Sequence, residues 1–268
     1  KKINFVNDGY FKFSSLSIEK KCKDLNDSIL RNKKIDKKIF LSKKNYKKTK
    51  EKKYKKKDIL NKFKINFLLN NSKFKKLLIE ILGKNYKLYA QRVICSIPKS
   101  IFPKWIKKEL REDVPNLTKF IKPEYRYMRY LIGADFHNDF IDFEVNDKAN
   151  FITVYVYLSK VTKSMSPLIL LPKTHLAGYD KYPHKIVNFK NKISYFPKNK
   201  KKINTRKISL IGKEGDTWGW HAHLIHGTRP AYSKTPRLSL RLIFRQVRSS
   251  NFSQISIVNN RINKTSKF

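Results

Sequence analysis

The chain has 268 residues, 40% of them hydrophobic, with 18 Phe and 14 Tyr. That is one large domain with enough apolar material for a core, which excludes wholesale disorder. Its formal charge is +42; no apolar run approaches the ~20 residues of a membrane helix, and two cysteines, Cys22 and Cys95, exclude a disulfide framework.

The opening "KKINFVNDGY" lacks the apolar stretch of a secretory leader, so reduced thiols and a cytoplasmic location are expected. "FVNDGYFKF" (5–13) reads as a short strand around an Asp-Gly turn. Leu16, Ile18, Cys22, Leu25 and Ile29 recur at helical spacing, predicting a helix through Leu30. Residues 33–57 carry fourteen lysines. Like charges at that density repel, so a solvated loop or mobile cover is expected. Ser72 is the expected cap of a helix that buries Phe74, Leu77, Leu78, Ile81 and Leu82 and stops at Gly83.

From about residue 86 the segments become short and rich in β-branched and aromatic residues, separated by turn signals. "YKLYAQRVICSI", "NFITVYVYL", "PLILLP", "DTWGWHAHLIH" and "RLSLRLIFRQ" are examples. "PKNKKKINTRK" (197–207) reads as a loop among them. Helices followed by many strands predict a mainly β domain with flanking helices, as a sandwich, barrel or jelly roll. The whole of 1–268 is read as one domain, helical to about 84 and a β core over about 85–250.

The chemistry lies in two separated motifs. "DFHNDF" holds His137 and Asp139, two residues apart, which in an extended chain point the same way. Alone, this pair is a weak signal. Downstream, His226 is followed after ten residues by Arg237 and then, with one residue between, by Ser239. Two histidines and a carboxylate make the facial triad of non-haem Fe(II) oxygenases, which leaves coordination positions open for 2-oxoglutarate and O2. The far carboxylate of 2-oxoglutarate needs a buried cation. Arginine suits it, because its planar fork binds a carboxylate through two hydrogen bonds and stays charged. The Ser239 hydroxyl, on the same strand face, can add a third.

With these motifs in place, the chain resembles the phytanoyl-CoA dioxygenase-like branch of the Fe(II)/2-oxoglutarate oxygenases, over nearly its whole length. "FVNDGYFKF" is similar to the family's opening segment, "SKVTKSMSPLILLPKTHLAG" (159–178) to its central segment, and "HGTRP" to its distal histidine motif. The resemblance implies a double-stranded β-helix (jelly-roll, cupin-like) core with a helical N-terminal region. It implies iron at His137, Asp139 and His226 and 2-oxoglutarate at Arg237. By position it also implies Thr228 and Tyr155 as co-substrate contacts, and more weakly Gln91. Two glycine turns of the family are replaced, by Met165-Ser166 and by Pro172-Lys173, which bears on turn geometry. Asp139 is present where halogenating relatives carry a small residue, so hydroxylation is the expected outcome.

Other histidines compete for the distal role. Strand alternation places His221 and His223 on one face and His226 on the other; spacing to Arg237 favours His226, with His223 next. His175 is expected to be structural and His184 exposed. On "RLSLRLIFR", alternation sets Arg237, Ser239, Arg241 and Arg245 on one face, with Arg241 and Arg245 read as arginines in water. Trp218 and Trp220 are read as core or pocket wall.

The charge admits two explanations. Gly numbers 8 against roughly 19 at the usual ~7% share, and Lys, Ile, Asn, Phe and Tyr abound. AT-rich codons produce that skew with no selected partner. A nucleic-acid-directed oxygenase using the basic surface is the alternative, although no nucleic-acid module or stacking platform is visible. A non-catalytic β-helix binding protein is a third reading. The expected partner is a small-molecule substrate, with loops 33–57, 100–122 and 176–207 as its walls and their lysines hinting at an anion.

Overall fold

The structure, a computed structural model, describes residues 4–14, 16–32, 34–49, 58–110, 116–142, 149–189, 192–198, 200–248 and 252–265. The N-terminal part holds α1 (Phe5–Asp8), β1 (Tyr10–Phe13), α2 (Glu19–Asn32), α3 (Lys43–Thr49), α4 (Asn66–Leu69) and α5 (Ser72–Leu82). Then come β2 (Tyr86–Ser96), α6 (Lys104–Glu109), β3 (Arg129–Leu131), β4 (Ala134–His137), β5 (Phe151–Tyr157) and β6 (Leu168–Leu170). A three-stranded excursion, β7 (Lys185–Phe189), β8 (Lys192–Phe196) and β9 (Ile203–Thr205), precedes β10 (Ile208–Ser209). The chain closes with β11 (Thr217–His221), β12 (His226–Thr228), β13 (Arg237–Gln246) and α7 (Gln254–Thr265).

Two sheets face each other. One has the order β1-β11-β5-β13-β2-β3 and the other β10-β6-β12-β4; β7-β8-β9 form a third, smaller sheet. At the centre, β5 and β13 pair antiparallel, with Leu240 opposite Val156 and Arg241 opposite Tyr155. Alternation along both strands divides two cores. Ile152, Val154 and Val156 join Leu238, Leu240, Leu242 and Phe244 against the helices, whose contributions include Ile29, Leu78 and Val258. Tyr155 and Tyr157 face Leu168, Leu170 and Trp220 between the sheets. This is the expected mainly β jelly-roll with flanking helices. Among the described residues no helix is long and apolar enough to cross a membrane.

Four expectations need correction. The first half of "FVNDGYFKF" is the helical turn α1, and strand pairing begins only at Tyr10, opposite Trp220. Gly9 ends α1 with φ 79°, and a Cβ there would lie 2.4 Å from His175 Nδ1, so both the turn and the packing require glycine. The lysine-rich segment is not a solvated loop over 34–49. Ile35, Ile39, Phe40, Leu41 and Tyr46 are buried, and Tyr46 packs against Trp105 and Phe120 at 5.5 and 4.8 Å between ring centroids. Its lysines occupy the outward positions of a packed cover; residues 33 and 50–57 lie outside the described residues. Within 197–207, Ile203–Thr205 forms strand β9, paired with β8. The helix expected from Ser72 forms as α5 and stops at Gly83, but its cap is Asn71, whose side chain accepts from Phe74 N–H, and Ser72 is its first helical residue.

Both glycine replacements keep the left-handed backbone: φ is 58° at Ser166 and 71° at Lys173. The turns are therefore preserved at a cost of about 1–2 kcal/mol each, because a Cβ crowds the carbonyl in that region.

Candidate active site

His226 and His137 stand opposite each other in register where β12 pairs with β4, their ring centroids 4.4 Å apart. Each ring is fixed in the same way. His137 Nδ1 lies 2.7 Å from the Asp135 carbonyl and His226 Nδ1 2.9 Å from the Leu224 carbonyl. A carbonyl only accepts, so each Nδ1 carries the proton and each Nε2 the lone pair a metal ion needs. Burial first, and then neighbouring His137, push His226 down to about 4, so its imidazole is neutral at physiological pH.

Asp139 is reached differently from expectation. His137 ends β4, whereas Asp139 opens a 3-10 turn over Asp139–Asp142. Asn138 makes the bend: its side chain accepts from Phe140 N–H at 3.2 Å and donates to the Asp180 carbonyl at 3.2 Å. The Asp139 N–H bonds the Ala222 carbonyl at 3.0 Å, which returns the side chain to the cavity. There Oδ2 accepts from Thr153 at 2.8 Å and Trp220 Nε1 at 2.9 Å, while Oδ1 accepts from Arg241 Nη2 at 2.8 Å. Burial alone would raise this carboxyl; His226, Arg241 and the Thr153 bond outweigh it and hold the group below the usual carboxylate range. Oδ1 is also the oxygen nearest His226, 3.8 Å from Nε2.

One cavity of about 210 Å³ gathers His137, Asp139, Tyr155, His226, Thr228 and Arg237 on its wall. Arg237 is 2% exposed. Its polar contacts are hydroxyls: Ser239 Oγ at 3.3 Å and Ser96 Oγ at 3.5 Å; its Nε has no hydrogen-bond partner. A buried guanidinium bonded only to hydroxyls fits an anionic ligand in that cavity. Tyr155 stacks on Trp220 at 5.2 Å, and burial keeps its hydroxyl protonated. The Thr228 hydroxyl is committed to the 166–167 turn, within 3.0 Å of the Pro167 carbonyl and 2.6 Å of Ser166 Oγ. It ties β12 to the turn that replaces the family's glycine.

The site thus brings together seven of the eight residues singled out from sequence; Ser239 joins through Arg237. Gln91 stands apart. It pairs with Leu242 on β13, on the face turned to the helices, and is not on the cavity wall. Among the described residues no three His, Cys, Asp or Glu side chains form a preassembled metal cage; the donors face one cavity with Arg241 seated on Asp139 Oδ1. The donor chemistry fits iron with 2-oxoglutarate on two counts: two imidazoles whose Nδ1 atoms are held on backbone carbonyls, beside an ionised carboxylate, and a buried cation suited to an anion.

Sequence reasoning missed Thr153, Trp220 and Arg241 as partners of Asp139. Alternation held the clue for Arg241 and Thr153, each two residues from a residue already singled out (Ser239, Tyr155) on the same strand face. Arg241 is therefore not an arginine in water. His184 is also corrected: its side chain is 1% exposed, 3.4 Å from Asp180 and edge-on to Tyr195. His221 ends β11 in one sheet and His226 begins β12 in the other, so the two do not share a strand. His223 stacks on Phe140 at 4.6 Å, and His175 lies buried with Nε2 3.3 Å from the Val6 carbonyl.

Comparison with known proteins points the same way. The family model for phytanoyl-CoA dioxygenase matches residues 5–239. Among solved structures, the epimerase SnoN from nogalamycin biosynthesis, in complex with Fe3+, alpha ketoglutarate and nogalamycin RO, is 12% identical with a TM-score of 0.55, covering 90% of this chain and 80% of its own. The non-heme alpha ketoglutarate dependent carbocyclase SnoK, from the same biosynthesis, is 9% identical with a TM-score of 0.52, covering 90% and 81%. EctD from S. alaskensis with bound Fe is 12% identical with a TM-score of 0.51, covering 93% and 78%. At these identities the likeness is one of fold. No curated protein sequence matches the chain.

Proposed function

The chain belongs to the phytanoyl-CoA dioxygenase family, and from that premise we propose that it is an Fe(II)- and 2-oxoglutarate-dependent oxygenase hydroxylating a C–H bond of a small-molecule substrate. His137, Asp139 and His226 are the iron ligands in this reading, and Arg237 holds the far carboxylate of 2-oxoglutarate. Iron with 2-oxoglutarate and O2 supplies the oxidising power, with succinate and CO2 released.

The protein's own part is orientation and exclusion of water. Backbone carbonyls fix both imidazoles in the ligating tautomer, and Thr153 and Trp220 hold one carboxylate oxygen so that the other faces His226. Arg237 and the Ser239 hydroxyl offer a carboxylate a charged fork and a neighbouring hydrogen bond. Tyr155 stands on the same wall as a protonated donor. The reading places the protein in the cytoplasm, in keeping with two free, buried thiols.

One observation carries the proposal: Arg237, a buried guanidinium with only hydroxyl partners, shares a cavity with His137, a neutral His226 and an ionised aspartate. The test is succinate production by anaerobically purified protein given Fe(II) and 2-oxoglutarate, then O2. Wild type should turn over 2-oxoglutarate slowly without substrate, and Asp139→Ala and Arg237→Ala should lose that turnover. Wild-type protein that neither binds iron nor consumes 2-oxoglutarate, or variants that match it, would refute the reading.

A further inference from the structure

We propose that Arg241 is the anchor for an anionic group of the substrate, a carboxylate or a phosphate, beside the metal position. The proposal rests on the oxygenase reading above. Arg241 follows Ser239 by two residues and Arg237 by four on β13, so alternation brings all three to the cavity side of the strand. Its side chain is 14% exposed and lines the same cavity as the histidines.

The asymmetry of Asp139 shows why Arg241 is more than a structural partner. Oδ2 is filled by Thr153 and Trp220. Oδ1 is the oxygen that faces His226, and Arg241 Nη2 is on it at 2.8 Å. A metal ion held by His226 and Asp139 would lie close to that guanidinium. A guanidinium and a divalent cation beside one carboxylate repel each other, so a cation held by His226 and Asp139 would loosen Arg241 from Asp139 and favour its turning toward the cavity. Its planar fork is then presented next to the reacting centre, where it matches the two oxygens of a carboxylate or phosphate.

The charge of the wall gives the sign of the ligand. Among the described residues lining the cavity, Arg129, Arg237 and Arg241 stand against one carboxylate, Asp139. In the oxygenase reading, Asp139 and one 2-oxoglutarate carboxylate offset the metal ion, and the second carboxylate offsets Arg237. A guanidinium on the wall beside that position is complemented by a substrate anion.

The experiment uses the full chain with Co(II), whose visible absorption reports its coordination, and compares wild type with Arg241→Gln and Arg241→Lys. Each protein is titrated with Co(II), then saturated with 2-oxoglutarate under argon, then titrated with phosphate or acetate, with acetamide as the uncharged probe. Arg241→Gln should bind Co(II) about tenfold more tightly, since nothing competes for Oδ1. In wild type, phosphate and acetate should perturb the spectrum of the 2-oxoglutarate complex and acetamide should not. That response should need at least tenfold more anion in Arg241→Gln, with Arg241→Lys between. A Co(II) affinity that does not rise in Arg241→Gln, an anion response equal in wild type and variant, or no anion response in wild type would overturn the Arg241 assignment alone. A wild-type protein that takes up no Co(II), or whose Co(II) spectrum ignores 2-oxoglutarate, would overturn the oxygenase reading with it.

Discussion

Trp220→Phe is the sharpest probe of how this fold prepares its carboxylate. The indole is 1% exposed and stacks between Tyr155 and His226, at 5.2 and 4.9 Å. Phenylalanine retains an aromatic ring there and removes one group that matters, the Nε1–H donated to Asp139 Oδ2 at 2.9 Å. A hydrogen bond to a charged group contributes about 1.5–3 kcal/mol. Oδ2 keeps only the Thr153 bond, so the carboxylate gains freedom to rotate away from His226. At 1.4 kcal/mol per decade, metal affinity should fall about ten- to a hundredfold, the range seen when groups behind a metal ligand are removed. Calorimetric titration with Mn(II) or Co(II) measures this directly. Trp218→Phe is the control: Trp218 lies two residues away on β11, and its Nε1 has no hydrogen-bond partner. Equal metal affinity in the two folded variants would refute the argument that the indole positions Asp139.

Two further predictions concern the scaffold. Lys173 is exposed and held at φ 71°. Lys173→Gly should relieve about 1–2 kcal/mol of left-handed crowding against about 0.5–1 kcal/mol of extra unfolded-chain entropy. The net gain is roughly 0.5–1 kcal/mol, about 2 °C in Tm; an unchanged or lower Tm, with Lys173→Ala as comparison, would contradict the cost assigned to that turn. His175, pushed down to about 3 by burial, is neutral when folded but takes up a proton below about 6.5 when unfolded. Its contribution to stability is therefore fully present above pH 6.5 and lost as pH falls from 6.5 toward 3. At pH 5 the loss is on the order of 2 kcal/mol. Urea unfolding at pH 7.5 and 5 should show an acid-induced loss of stability larger in wild type than in His175→Gln by about that amount, His226 adding its own share to both; an equal loss in both would show that His175 is not a source.

The sequence alone determined what local pattern can carry. Period-two alternation along Arg237–Gln246 put Arg237, Ser239 and Arg241 on one face and the leucines on the other, and β13 divides its two cores in that way. Period 3.6 and a glycine stop marked α5. The spacing of His226 to Arg237 singled out a histidine that the structure sets opposite His137. Tertiary structure decided the rest, because the deciding partners are far apart in the chain. Trp220 and Arg241 reach Asp139 from 81 and 102 residues away, and no local periodicity encodes which oxygen each one takes. "WHAHLIH" reads as one alternating strand, yet the chain leaves one sheet and enters the other between His221 and His226, a step set by pairing with β5 and β6. The lysine-rich 34–49 looks like a solvated run by charge density, but its few apolar residues find a hydrophobic surface that only the assembled core supplies. Arg241 shows the same division: its strand face was legible from alternation, while the carboxylate it sits on exists only where three distant segments meet.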